Sequence, residues 1–178
     1  MSRDILERML EAAIWAPSAH NRQPWRFVVL TRAQDRRRLA EAMAARLRQD
    51  LEADGVPPEA IEADAARSLA RLTGAPVLIL ACLSMADMDT YPDASRQEAE
   101  RIMAVQSVAM AAQNLLLAAH VEGLGACWMC APLFCGDVVQ ETLDLSSTWE
   151  PQGIIAIGYP AEQREKTRAP LDTRVTFL

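Results

Sequence analysis

The sequence predicts an α/β (α+β) three-layer sandwich, a central mixed sheet flanked by helices, within a single domain of 178 residues. Apolar residues recur at helical spacing in several segments, and continuous β-branched or aliphatic runs lie between them. Two helical segments follow one another between the first two such runs. A chain of this length buries a real core, and strands separated by helices cover both faces of a sheet.

Leu6, Met9, Leu10, Ala13 and Ile14 place an apolar face on a helix over residues 3–16, which Pro17 ends. Residues 17–24 form a rigid turn, because Pro17 and Pro24 each fix φ and lack an N–H. Residues 25–31, rich in aromatic and β-branched types, read as a buried strand. Leu39, Met43, Leu47 and Leu51 give a second helix, Gly55-Val56-Pro57-Pro58 breaks it, and Ile61, Ala65, Leu69 and Leu72 give a third. Residues 76–83 are continuously apolar, as expected mid-sheet.

An acidic connector over 84–94 carries Asp87, Asp89 and Asp93, and leads into a long helix over roughly 95–122. The second half of that helix is apolar on nearly every side, with Val105, Val108, Met110, Leu115, Leu116 and Leu117. Such a helix must be buried all round, and a homodimer is the natural way to cover it. A short strand near 126–129, a helix near 136–143 and a strand over 153–158 follow. Residues 1–159 form the core. Residues 160–178 form an extended C-terminal arm, expected to cross to the partner subunit.

The net charge of −6 argues against a nucleic-acid surface, which needs a basic stripe. Arg36-Arg37-Arg38 precedes helical-period apolar residues and reads as a solvated helix face. No run of 18 or more apolar residues and no signal segment is present, so a cytoplasmic protein without a membrane span is expected. Four cysteines suit reduced thiols better than a disulfide framework.

Three constellations carry possible chemistry. The opening turn concentrates Ser18, His20, Asn21, Arg22 and Gln23, which donate and accept hydrogen bonds in many directions. It reads either as a well-capped helix-to-strand turn or as a platform presenting polar groups to a ligand. Gly123-Leu124-Gly125 follows the long helix; Gly123 can cap it, and the pair of glycines admits close backbone approach by a flat group. Lys166-Thr167-Arg168 in the arm suits a phosphate or is a solvated tail.

Together these segments resemble the FMN-dependent nitroreductase family, from about Leu6 to Pro170. The signatures are Pro-Ser-x-x-Asn-x-Gln-Pro-Trp at 17–25 and Gly-Leu-Gly-x-Cys-Trp at 123–128. Met-Ala-Val-Gln-Ser-Val at 103–108, Cys-Trp-Met-Cys-Ala-Pro-Leu-Phe at 127–134 and Trp-Glu-Pro-Gln at 149–152 are similar to the flavin domain of the bifunctional coenzyme F-420 (deazaflavin) biosynthesis protein. The resemblance implies a homodimer with FMN at its interface and a nitroreductase-like fold. Pro17, Ser18 and Asn21 would line the flavin with Gln23 close behind. Backbone groups of Gly123, Leu124 and Gly125 would approach its ring, and Lys166 and Arg168 would hold its phosphate. NADH or NADPH would reduce the flavin, which would pass electrons to a small aromatic or conjugated acceptor in ping-pong order.

Family members generally carry an Arg-Arg-Ser-x-Arg segment before the first helix, which holds the flavin phosphate. Here Arg3 stands in neither its context nor its position. The alternative expectation is therefore a non-catalytic flavin- or ligand-binding dimer that keeps the fold. No catalytic residue is assigned, because the flavin carries the chemistry; His20 is either a substrate contact or a locally bonded side chain. Cys127-x-x-Cys130 reads as core cysteine on a buried strand rather than a redox pair at a helix start. Cys82, Cys135 and His120 do not complete a metal set with it, so no metal is expected. The connector is either a lid or an ordinary solvated loop.

Overall fold

The computed structural model describes residues 1–162 and 166–178; residues 163–165 of the expected arm lie outside the described residues. Its elements are α1 (Arg3–Ile14), β1 (Trp25–Leu30), α2 (Ala33–Ala53), α3 (Pro58–Gly74) and β2 (Val77–Leu83). They continue with α4 (Ala94–Val121), β3 (Gly125–Met129), α5 (Gly136–Leu143) and β4 (Glu150–Gly158). The elements fall where the hydrophobic spacing puts them, except that β4 begins at Glu150, three residues earlier than expected.

The strands run in the order β1-β2-β4-β3. Every neighbouring pair is antiparallel. Strand directions are mixed in sequence, since β2 and β3 point the same way across α4, but β4 inserts between them. The expected mixed sheet is therefore antiparallel at each ladder. The α2–α3 pair explains the first reversal: two helices carry the chain back to the end of the sheet where β1 stopped.

All seven residues of β2 are buried, as befits an inner strand. Alternate side chains serve opposite faces. Val77 and Ile79 pack with Leu6, Met9 and Ala13 of α1 and Leu115 of α4, while Leu78, Leu80 and Cys82 pack with Leu39, Met43, Leu72 and Val139 of the other helices. This gives three layers, with α1 and α4 on one face and α2, α3 and α5 on the other.

By length and composition α4 could cross a membrane. It instead lies on the sheet through Ala104, Val108, Ala111, Ala112, Leu115 and Ala119. Its other face is uncovered in one chain: Ile102, Met110, Leu117 and Val121 are exposed, Val121 to 85%. Of the arginine triplet, Arg37 and Arg38 are solvated as expected. Arg36 is buried and donates from Nη1 to the Thr31 carbonyl at 2.5 Å, because it lies on the inner side of α2's first turn.

Candidate functional site

The turn after α1 is held from both sides. The Ala19 N–H donates to Ser107 Oγ of α4 at 3.3 Å, and the Ser84 N–H after β2 donates to the Pro24 carbonyl at 2.8 Å. Within the turn, the Gln23 N–H donates to Ser18 Oγ at 3.1 Å and the Asn21 N–H to the Ser18 carbonyl at 3.0 Å. These bonds impose left-handed backbone on three non-glycine residues: φ is 50° at His20, 54° at Asn21 and 52° at Gln23. Left-handed backbone costs roughly 1–2 kcal/mol per residue outside glycine, and such strain concentrates at ligand clamps and active sites. His20, Asn21 and Gln23 are exposed, so the strain presents their side chains outward. The Gln23 amide touches Asn21 only at 3.5 Å, so both amides retain bonding capacity.

The connector after β2 is strapped to this turn rather than loosely solvated. Arg22 pairs with Asp89, and Arg26 pairs with Asp87 at 2.6 Å. Met88 is buried beneath the strap, and Asp93 caps α4 by accepting from the Arg96 N–H at 2.9 Å.

The Gly123 segment ends α4 in a Schellman cap. Gly123, at φ 73°, donates its N–H to the His120 carbonyl at 3.0 Å, and Leu124 donates to the Ala119 carbonyl at 2.9 Å. Those two backbone donors are thus occupied by the helix. Leu124 sends its side chain into the core, so what the segment offers a ligand is exposed backbone at Gly123 and open space above it. Gly125 pairs with Gly158 at the end of β3.

Within one chain the turn and the Gly123 segment do not meet. The turn docks at Ser107 and Gly123 lies sixteen positions further along α4, roughly 24 Å of helix rise. The sheet agrees: β1 leaves the turn at Trp25 opposite Leu83, the last residue of β2, whereas Gly125 lies at the Val77 end. The Trp128 indole covers Gly153 so closely that a Cβ there would come 2.3 Å from Cζ2, and it packs against the core cluster that includes Ala16 and Trp25.

Between the two halves lies a groove of about 450 Å³ on the outer face of α1 and α4, lined by Met9, Trp15, Asn114, Leu117 and Val121 among others. Its rim carries Arg8, which chelates both Glu122 carboxylate oxygens at 2.8 Å and holds that carboxyl below its usual range. Trp15 is 84% exposed. Lys166 and Arg168 are exposed in the arm, and Arg168 donates to the neighbouring Thr167 carbonyl.

The cysteines depart from the buried-strand reading. Cys127 and Cys130 are exposed, since β3 is an edge strand with one face outward; Trp128 Nε1 contacts Cys130 Sγ at 2.9 Å. Cys82 and Cys135 are the core thiols, and burial pushes Cys82 up to about 12 and Cys135 upward. His120 is exposed as well. The sequence does not single out Ser107 or Glu100, and it gives Asp89 only as part of the acidic connector. A hydroxyl in the apolar half of a helix was the available signal for Ser107; lone acids near a helix start give none.

The nitroreductase family model matches residues 1–159. A 5,6-dimethylbenzimidazole synthase from Rhodospirillum rubrum is 31% identical, covering 92% of this chain and 74% of the relative. A Methanothermobacter thermautotrophicus protein named as a candidate NADH dehydrogenase/NAD(P)H nitroreductase is also 31% identical, over 89% of this chain and 67% of its own. Among solved structures, a candidate nitroreductase from Desulfovibrio desulfuricans in complex with FMN superposes with a TM-score of 0.74 at 29% identity, covering 98% of this chain and 84% of that one. A BluB-like flavoprotein from Clostridium difficile shares the fold at a TM-score of 0.80 and 24% identity, over 100% and 90% of the two chains. By its turn, its Gly123 cap and this match across nearly the whole core, the chain belongs to the nitroreductase family.

Proposed function

We propose that this protein is a homodimeric FMN-dependent oxidoreductase that reduces a small aromatic or conjugated acceptor with NADH or NADPH. Family membership makes it an oxidoreductase, and FMN is the cofactor consistent with its relatives. The observation that carries the dimer is the position of the two site halves at opposite ends of an uncovered apolar face. A second copy laid antiparallel on the outer face of α4 would bury Leu117 and Val121 and bring one chain's turn toward the other's Gly123 segment.

The residues present fit the cofactor. The Asn21 and Gln23 amides can bond the polar edge of a flat ring, and the Ser18 hydroxyl, an acceptor from Gln23, keeps its proton to donate. Gly123 leaves open space on its Cα, suited to a ring face. Lys166 and Arg168, extended beyond the core, suit a phosphate contributed across the interface. When bound, FMN supplies the electron transfer, accepting a hydride from reduced nicotinamide and passing electrons to an acceptor in ping-pong order. The chain's own part is orientation: strained amides preset at the turn, and an apolar interface that excludes water. The deazaflavin resemblance favours a conjugated ring system as the acceptor. A cytoplasmic location goes with this chemistry.

The test is colour and redox response. Purified protein should be yellow or should quench FMN fluorescence with one flavin per protomer, bleach anaerobically on adding NADH or NADPH, and recover in air. Absence of quenching with excess FMN overturns the oxidoreductase reading. Quenching without bleaching by either nicotinamide would favour the non-catalytic binding dimer.

A further inference from the structure

Glu100 is the most deeply buried acid among the described residues, with no exposure at all. One carboxylate oxygen, Oε1, accepts from the Asp89 N–H at 3.1 Å, and Oε2 has no hydrogen-bond partner. No cation pairs with it among the described residues, although a buried carboxylate ordinarily needs one. His20 of the strained turn and Asp89 of the connector approach it. One ligand atom from each of His20, Asp89 and Glu100 lies within 4.8 Å of the others.

We propose that His20, Asp89 and Glu100 bind a divalent first-row transition cation. Atoms coordinating one such ion tetrahedrally at about 2.1 Å stand roughly 3.4 Å apart, so closure from this spread needs at most about 1.4 Å of approach per pair, which the exposed His20 and half-buried Asp89 side chains can supply. An imidazole nitrogen with carboxylate oxygens suits manganese or zinc-type ions better than magnesium or calcium, which favour all-oxygen sets. Arg22 pairs with Asp89 through Oδ1 but makes no bond to Glu100, so Oε2 is left for another partner. The ion would tie the connector, the turn and α4 to one point, close to the Ser107 bond that docks the turn. The proposal stands independently of flavin binding.

Full-length protein stripped with EDTA and dialysed would be titrated calorimetrically with MnCl2 and with ZnCl2. One-to-one saturable binding of at least one ion is expected. His20→Ala and Glu100→Gln should each weaken it at least about tenfold, as loss of even an outer partner does. Cys127→Ser/Cys130→Ser should leave it unchanged. His20 is exposed, so its variant keeps the test decisive where the buried Glu100 substitution fails to fold. Failure of both ions to bind, affinity unchanged in His20→Ala, or binding lost in the cysteine variant overturns the site.

Discussion

Gly123 adopts a left-handed φ of 73°, and a Cβ there would meet nothing within 4 Å. Replacing it therefore costs backbone strain alone, with no steric clash to add. Gly123→Ala should lower stability by about 1 kcal/mol, read as a lower urea midpoint at an unchanged m-value. The thiols separate in the same way, by environment. Cys127 and Cys130 should react with a disulfide reagent in the native protein at pH 8, and Cys82 and Cys135 only after unfolding. Counting released chromophore before and after denaturant checks this. Burial raises the Cys82 thiol from 9.0 to about 12, so the folded state holds its proton more tightly than the unfolded chain does. That contribution to stability is complete below pH 9 and is lost as pH rises toward 12.

Elements were the most legible level of this chain. The helical spacing of Leu6 to Ile14, the continuous run from Val77 to Leu83 and the glycine after Glu122 each forced one local structure. What was not legible was tertiary. Three residues of left-handed backbone in the turn follow from bonds to Ser18 and to Ser107, the latter 88 positions from Ala19. The edge position of β3, which exposes Cys127, depends on β4 inserting between β2 and β3. The connector looked solvated because its acids and their arginines lie far apart in sequence. At its end, Asp93 caps α4, and the bond from the Arg96 N–H, with the Arg96 side chain, holds its carboxyl below the usual range. A lowered carboxyl stabilises above its unfolded value and loses that effect as pH falls through the folded one. Asp93→Ala should therefore lower the melting temperature at neutral pH, and the gap from wild type should close in acid.

At the scale of the whole molecule, the distance between the turn and Gly123 has a genetic consequence. In the proposed dimer, each site draws its turn from one chain and its Gly123 segment from the other. A variant crippled at Asn21 and another crippled at the Gly123 segment are then both inactive alone. Dissociated together and allowed to reassociate, they form mixed dimers in which one site inherits both lesions and the other inherits none. Random pairing makes about half the dimers mixed, with one working site in each, so roughly a quarter of wild-type activity should return. Sites built within single chains would return nothing. Two broken alleles of this gene would thus complement each other, an outcome set by the rise of one helix.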